Sequence, residues 1–572
     1  MASLVSVRRR GWPVSLTVAY VAAYVVVTWP WPIQLWTQAR SNGDTSMFAW
    51  TVWWMRHEVE TLSWPFGTQH ALAPLGGSLI FHGMQLTAFV SVPLQWLVGS
   101  IAAFNLMTVV LAVLGGVATY ALARDLGMPR LAAAVAGFLF LVSPHFAFRY
   151  HGGHTNLAHA YWIPLLLLVV RRYLRDPTSR RAMLVGAAVA GSVYSDLTIA
   201  IYAAGVSTFY TVAVVVSRRV SLRALPVRSL AAGTMTFAIL ISAFVVELLR
   251  VAARHEIATI PGLARSWAAS LDLGLILVPH MAHEGPGGLG IAAPVLAGMA
   301  TFVSRRRGLV VWLVALVVGC VVLGLGPQLI VFENRYVPVP VHLHGDTREA
   351  SALMPYTWVQ AVMPHLRAPK RLLIVAALGM ALLAGLAVTS LVRRHRWVAA
   401  VVLVIAVPIA LSEGRIPIRD IVDAQLPPLY DTIRADGDQS AIVVNVPLGF
   451  RTGFGGYGAG MRPRGASYIY AIQHEKPISV GFFPRMDRVR VDQLARVSLY
   501  RDIIALQELA PGEPAPVTSP AQGRASALEY NLKYVVLAHD VPGTEAVGEY
   551  LDRAGYELAD RDDTASLYRL RR

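Results

Sequence analysis

Residues 14–45 read VSLTVAYVAAYVVVTWPWPIQLWTQARSNGDT. The run from Val14 to Val27 is apolar, with Arg8-Arg9-Arg10 before it and Trp29-Pro30-Trp31-Pro32 after it. A basic flank, an apolar run and no small-residue cleavage site behind it predict a retained signal anchor, with the N-terminus cytoplasmic. The polar motif Ser41-Asn42-Gly43-Asp44-Thr45 follows, and an aromatic helix is expected over 45–60. Asp44 therefore stands a short step outside the first membrane helix. A carboxylate placed there can take a proton from a hydroxyl, which points to chemistry at a membrane surface with one lipid-borne substrate.

The rest of the chain is built in the same way. It has 572 residues, of which 55% are hydrophobic and 15% charged, and its mean hydropathy is +0.51. That balance suits a polytopic membrane protein and not a soluble domain. The formal charge of +16 does not indicate a nucleic-acid partner, because much of the arginine sits in short clusters between apolar runs, where it marks topology. The single Cys320 lies inside an apolar run, which leaves no disulfide framework and no cysteine metal site. Lysine occurs only at Lys370, Lys476 and Lys533, an arginine bias that fits a high-GC genome.

A helix needs roughly twenty apolar residues to span the hydrocarbon core, and this ruler gives about eleven spans. They centre on 14–30, 101–122, 131–149, 157–170, 182–195, 197–216, 229–249, 290–303, 308–329, 372–391 and 397–412. Arginine clusters at 8–10, 124/130, 171–181, 218–228, 305–307 and 393–396 then share one face, the cytoplasmic one by the positive-inside rule. The segments 31–100, 250–289 and 331–370 and the tail fall on the opposite face. A further span at 82–99 would invert every later cluster, so Pro93 and Gln95 are read on a helix lying in the interface. The predicted architecture is an α-helical polytopic membrane domain over 1–412 and an extracytoplasmic α/β domain over 413–572. In the tail, 441–446 and 533–537 read as buried strands, and Pro428–Ala435 and Thr544–Ala554 as helices.

Four constellations could carry chemistry. Asp44 is a general base or merely the N-cap of helix 45–60, a helix expected to lie on the membrane surface with Trp50, Trp53, Trp54, Arg56, His57 and Glu58. Asp196 falls in the tight external turn Tyr194-Ser195-Asp196-Leu197-Thr198, as a second base, a sugar contact or a plain turn residue. Asp272 and Glu247 are weaker candidates near other external helix ends. The third pattern is histidine: His145, His151, His154 and His159, with Asn156 among them. No acidic or cysteine partner lies near them at metal spacing, so hydrogen bonding to a polyhydroxyl substrate by His57, His151, His154 and Asn156 is expected rather than zinc. The fourth is Arg367-Ala368-Pro369-Lys370-Arg371. Arg367, Lys370 and Arg371 cluster at the outer start of a span, where a phosphate or an anionic headgroup would bind. The glycine-rich stretch Gly449 to Tyr457 lacks a Gly-Lys-Ser/Thr ending and reads as a flap or carbohydrate contact, not a nucleotide loop.

These residues resemble the bacterial GT-C membrane glycosyltransferases, including members with a YfhO-like or dolichyl-phosphate-mannose-transferase-like core. The matching pieces include Gly43-Asp44-Thr45 with Phe48, Pro74-Leu75-Gly76-Gly77, Gly153-His154-Thr155-Asn156-Leu157, Leu323-Gly324-Leu325-Gly326-Pro327, Arg367 to Arg371, and Val444-Asn445-Val446-Pro447-Leu448. The resemblance implies a polyprenyl-phosphate sugar donor, an envelope glycan, lipid or protein acceptor, inversion at the anomeric carbon, and Asp44 as the catalytic carboxylate. Many members carry a pair of acidic residues in this loop. Here the neighbour of Asp44 is Thr45, which favours a reaction without a metal cofactor. The competing classes are a transporter or flippase of lipid-linked sugars, which would place ionisable groups at mid-membrane depth, and a non-catalytic envelope-assembly protein in which Asp44 is only a cap.

Overall fold

In a hydrocarbon solvent every backbone polar group must be satisfied within its own segment, so long apolar runs become helices. The computed structural model describes residues 2–571 apart from 42–43, 218–224, 255–262, 279–287, 344–347, 365, 367, 416–417, 419, 453–455, 458–464, 487, 511–512 and 514–515. In chain order its helices begin with α1 (Ala2–Thr28), α2 (Thr45–Glu60), α3 (Gln85–Val98), α4 (Ser100–Asp125), α5 (Arg130–Leu141), α6 (Pro144–His151), α7 (Trp162–Arg175) and α8 (Ser179–Ser195). Next come α9 (Leu197–Val216), α10 (Val227–Ala253), α11 (Leu263–Ala268), α12 (Ala292–Val303), α13 (Arg307–Gly324), α14 (Pro355–Val362), α15 (Leu373–Arg394) and α16 (Arg396–Gly414). Six tail helices follow among the described residues: α17 (Asp431–Ala435), α18 (Gly465–His474), α19 (Arg488–Leu494), α20 (Ser498–Leu506), α21 (Pro520–Glu529) and α22 (Thr544–Arg553).

Each of the eleven expected spans is helical, but among the described residues eight helices are long and apolar enough to cross a membrane. Of the other three, Pro13–Thr28 and α12 are shorter apolar helices. The third, α8, has 17 residues, roughly 26 Å at 1.5 Å per residue, and serine at 179, 192 and 195 dilutes its hydropathy. The helix at 82–99 has 14 residues, about 21 Å, too short for a straight crossing.

The chain folds as two units. One comprises residues 1–34, 106–242 and 260–419. Its axis is α15, whose residues from Leu373 to Thr389 are all buried. The helix is rich in alanine and glycine, which let neighbouring backbones approach closely. A Cβ on Gly379 would come within 2.6 Å of Val317 Cγ2, and one on Gly385 within 2.9 Å of Met128 Sδ. Helices α5, α12 and α13 pack around α15. Helix α12 is started by a side chain from elsewhere: Glu413 of α16 accepts from the backbone N–H of Ile291 (2.6 Å) and Ala292 (3.3 Å).

The other unit comprises residues 35–105, 243–259 and 420–572. The expected strands pair in its four-stranded sheet, Val443–Val446 at one edge running parallel to Tyr534–Ala538, and both are buried throughout, as strands covered on both faces are. Ala565–Leu570 and Tyr556–Arg561 add antiparallel to the Tyr534–Ala538 edge. The expected tail helices appear as a 3-10 turn at Pro428–Tyr430 running into α17, and as Thr544–Arg553. The first loop segment joins this fold directly. Gln38–Arg40 pairs antiparallel with Ile421–Asp423, Leu72 and Ala73 donate backbone hydrogen bonds to Val480 and Ile478, and the Tyr500 hydroxyl donates to the Ala73 carbonyl (2.8 Å).

Candidate active site

Asp44 sits at the N-cap of α2, and its carbonyl accepts the Phe48 N–H (3.1 Å). Its carboxylate accepts no hydrogen bond from the first turn of the helix. An aspartate whose role is capping would accept the N–H of the second or third helical residue. The side chain at this position is therefore not spent on the helix it precedes.

The expected surface helix is instead a core element. All residues of α2 from Thr45 to Met55 are buried, and so is Glu58, because α3 packs on one side and α18 on another. Tryptophans suit an interface and a core equally, and here they form a stacked core. Trp50 and Trp54 lie 5.5 Å apart at 7°, and His57 stacks on Trp54 at 5.1 Å and on Trp53 at 5.5 Å. His70, which sequence reasoning missed, completes the group at 4.8 Å from Trp54 and 5.4 Å from His57. Burial, followed by the neighbouring His57, lowers the His70 pKa to about 4, so its imidazole stays neutral at physiological pH. Burial also pushes the Glu58 carboxyl up to about 7. Among the described residues that carboxyl has no hydrogen-bond or ion-pair partner. Glu247 belongs to the same unit and is committed: it accepts from Trp64 Nε1 (2.8 Å), and Arg250 lies 3.8 Å away over the Trp64 ring.

The remaining candidates lie in the α15 unit. Asp196 is the single residue between α8 and α9. Its Oδ1 accepts the Ile199 N–H (2.9 Å) and its Oδ2 accepts from Asn156 Nδ2 (2.6 Å). It is buried, and each carboxylate oxygen has a protein donor. The Asn156 side-chain amide is thus used internally, and the Asn156 backbone carbonyl engages His159 Nδ1 at 2.7 Å. His145 and His159 are fully buried. His154 occupies the N-cap position of the 3-10 turn Thr155–Tyr161 and is half-buried. The His151 side chain and Arg367 lie outside the described residues. Asp272 is a clamp, accepting the backbone N–H of Gly274, Phe332 and Glu333.

Lys370 and Arg371 form the turn that leads into α15. The Lys370 N–H donates to the Ala269 carbonyl (3.1 Å), which anchors the turn. The Arg371 guanidinium makes no hydrogen bond or ion pair with any described residue. Among the described residues no group of three or more His, Cys, Asp and Glu is placed to hold a metal ion.

No protein-family model and no curated protein matches the sequence. Solved structures do resemble its fold. Two cryo-EM structures of a variant of the arabinofuranosyltransferase AftD from mycobacteria align with 98% and 97% of the chain, at 17% and 16% identity and TM-scores of 0.56 and 0.58. The chain has a GT-C fold. It spans 41% of the AftD chain. With eight helices among the described residues long and apolar enough to cross a membrane, it is a multi-pass membrane protein.

Proposed function

We propose that the protein is a membrane glycosyltransferase that moves a sugar from a polyprenyl-phosphate donor to a cell-envelope glycan, lipid or protein. The observation that carries this reading is Asp44: a carboxylate just past the first helix, at an N-cap position, that does not cap. In the reaction, the acceptor oxygen attacks the anomeric carbon and the carbon–oxygen bond to phosphate breaks with inversion. Asp44 takes the acceptor proton. Polyprenyl phosphate leaves with the bonding electrons, and Arg367, Lys370 and Arg371 offset its growing charge. One carboxylate beside Thr45 suits a reaction without a metal cofactor. The arginine alternation supports an extracytoplasmic site and C-terminal domain, with a cytoplasmic N-terminus.

The stacked Trp53, Trp54, His57 and His70 rings support a carbohydrate acceptor, since the neutral His70 imidazole both donates and accepts hydrogen bonds. Purified protein should be offered a panel of polyprenyl-phosphate sugars and scored for released polyprenyl phosphate. Release from at least one donor is expected. Release from none, by protein shown to be folded, would overturn the reading.

A further inference from the structure

Helix α14 is built inside out. Its buried side chains are Tyr356, Thr357 and Gln360, and each of them carries a polar group. Pro355, Trp358 and Val362 are exposed, Trp358 to 59% and Val362 to 83%, and Val359 between them is half-buried. The spacing of 355, 358, 359 and 362 puts these four apolar residues on one face of the helix. Leu353 before the helix and Met363 after it are exposed as well. No charged side chain occurs from Ala350 to Pro364. A helix on a water-facing surface has the opposite arrangement, with its apolar stripe on the core and its polar residues outward.

The local hydrogen bonds suit apolar surroundings. The Trp358 indole N–H donates to the Ala352 carbonyl (3.0 Å), and the Thr357 hydroxyl donates to the Ser351 carbonyl (2.7 Å). The exposed indole thus needs no partner from solvent, and in hydrocarbon polar groups must be satisfied within the protein. What covers the face follows from what α14 rests on. It packs against α13, a helix long and apolar enough to cross a membrane, whose Val311 and Val318 are also exposed. The apolar face of α14 therefore continues a surface that lipid covers. Eight residues reach about 12 Å, against a hydrocarbon core of about 30 Å, so the helix enters no more than one leaflet. We propose that α14 is a half-inserted anchor whose Trp358 and Val362 face lies among the acyl chains of one leaflet, holding the connection between α13 and α15 against the bilayer. This does not rest on the glycosyl-transfer reading.

The test uses the full chain in liposomes, with a fluorophore attached at Val362→Cys. Val362 is exposed, so the label displaces no core side chain. Cys320 is the single native cysteine and is buried, and unsubstituted protein labelled in parallel gives the background. Lipids brominated on their acyl chains and aqueous iodide serve as quenchers. Brominated lipid should quench the label at Val362→Cys, and iodide should not. A label at Leu558→Cys, an exposed position on the charged strand Tyr556–Arg561, should show the reverse. Quenching at Val362→Cys by iodide and not by brominated lipid would put the face in water and overturn the anchor. Protection from both quenchers would mean that a second copy of the chain covers the face, and would overturn the lipid assignment too.

Discussion

Asp44 and Glu58 stand at opposite ends of α2, and their surroundings give them different chemistry. Asp44 is half-buried at the helix start, whereas Glu58 is buried, its carboxyl has no partner among the described residues, and it is pushed up to about 7 from an ordinary 4.5. A raised carboxyl pKa means that folding favours the protonated form. The resulting contribution to stability is complete below about pH 4.5 and is lost as the pH rises to about 7. Glu58→Gln is therefore expected to raise the thermal midpoint at pH 8 and to leave it nearly unchanged at pH 4. Equal effects at the two pH values would show that Glu58 is not held protonated. Neither behaviour was legible in the sequence. A glutamate two positions before an exposed Glu60 reads as surface, and only the packing of α3 and α18 removes it from water.

At the scale of elements, the junction of α8 and α9 depends on one residue. Asp196 ends one helix and caps the next while orienting Asn156. Asparagine caps as well as aspartate, and Asn156 can turn its amide to meet it. Asp196→Asn should therefore keep turnover within about tenfold of wild type, whereas general-base loss would cost roughly 10²–10⁴. Asp196→Ala removes the cap, worth about 0.5–2 kcal/mol, and leaves a buried amide unpaired, at about 1–3 kcal/mol. Its thermal midpoint should fall. A severe loss of turnover in a stable Asp196→Asn protein would restore the second-base role. The turn itself was readable, because two apolar runs met with no room between them. Its use as a double cap was not, since the partner Asn156 lies 40 residues earlier.

Across the whole molecule, hydropathy made every membrane-crossing helix visible because it is a local property of the chain. The same was true of the paired strands at Val443–Val446 and Tyr534–Ala538, both short valine-containing runs. What stayed hidden was long-range: the three-residue pairing of Gln38–Arg40 with Ile421–Asp423 joins the first loop to the tail and leaves no periodicity to read. Orientation remains a statement about arginine, and it is open to direct test. A reporter that glows only in the cytoplasm should be dark when fused after residue 572 and bright when fused within 172–181. The reverse pattern would put Asp44 on the cytoplasmic face and end the extracytoplasmic reading. The central claim, base catalysis of glycosyl transfer by Asp44, is tested most directly by turnover of wild type and Asp44→Asn in proteoliposomes carrying a polyprenyl-phosphate sugar. Wild type should release polyprenyl phosphate, and Asp44→Asn should bind the donor about as well yet turn over roughly 10²–10⁴ times more slowly. Near-equal turnover by the two proteins would contradict it.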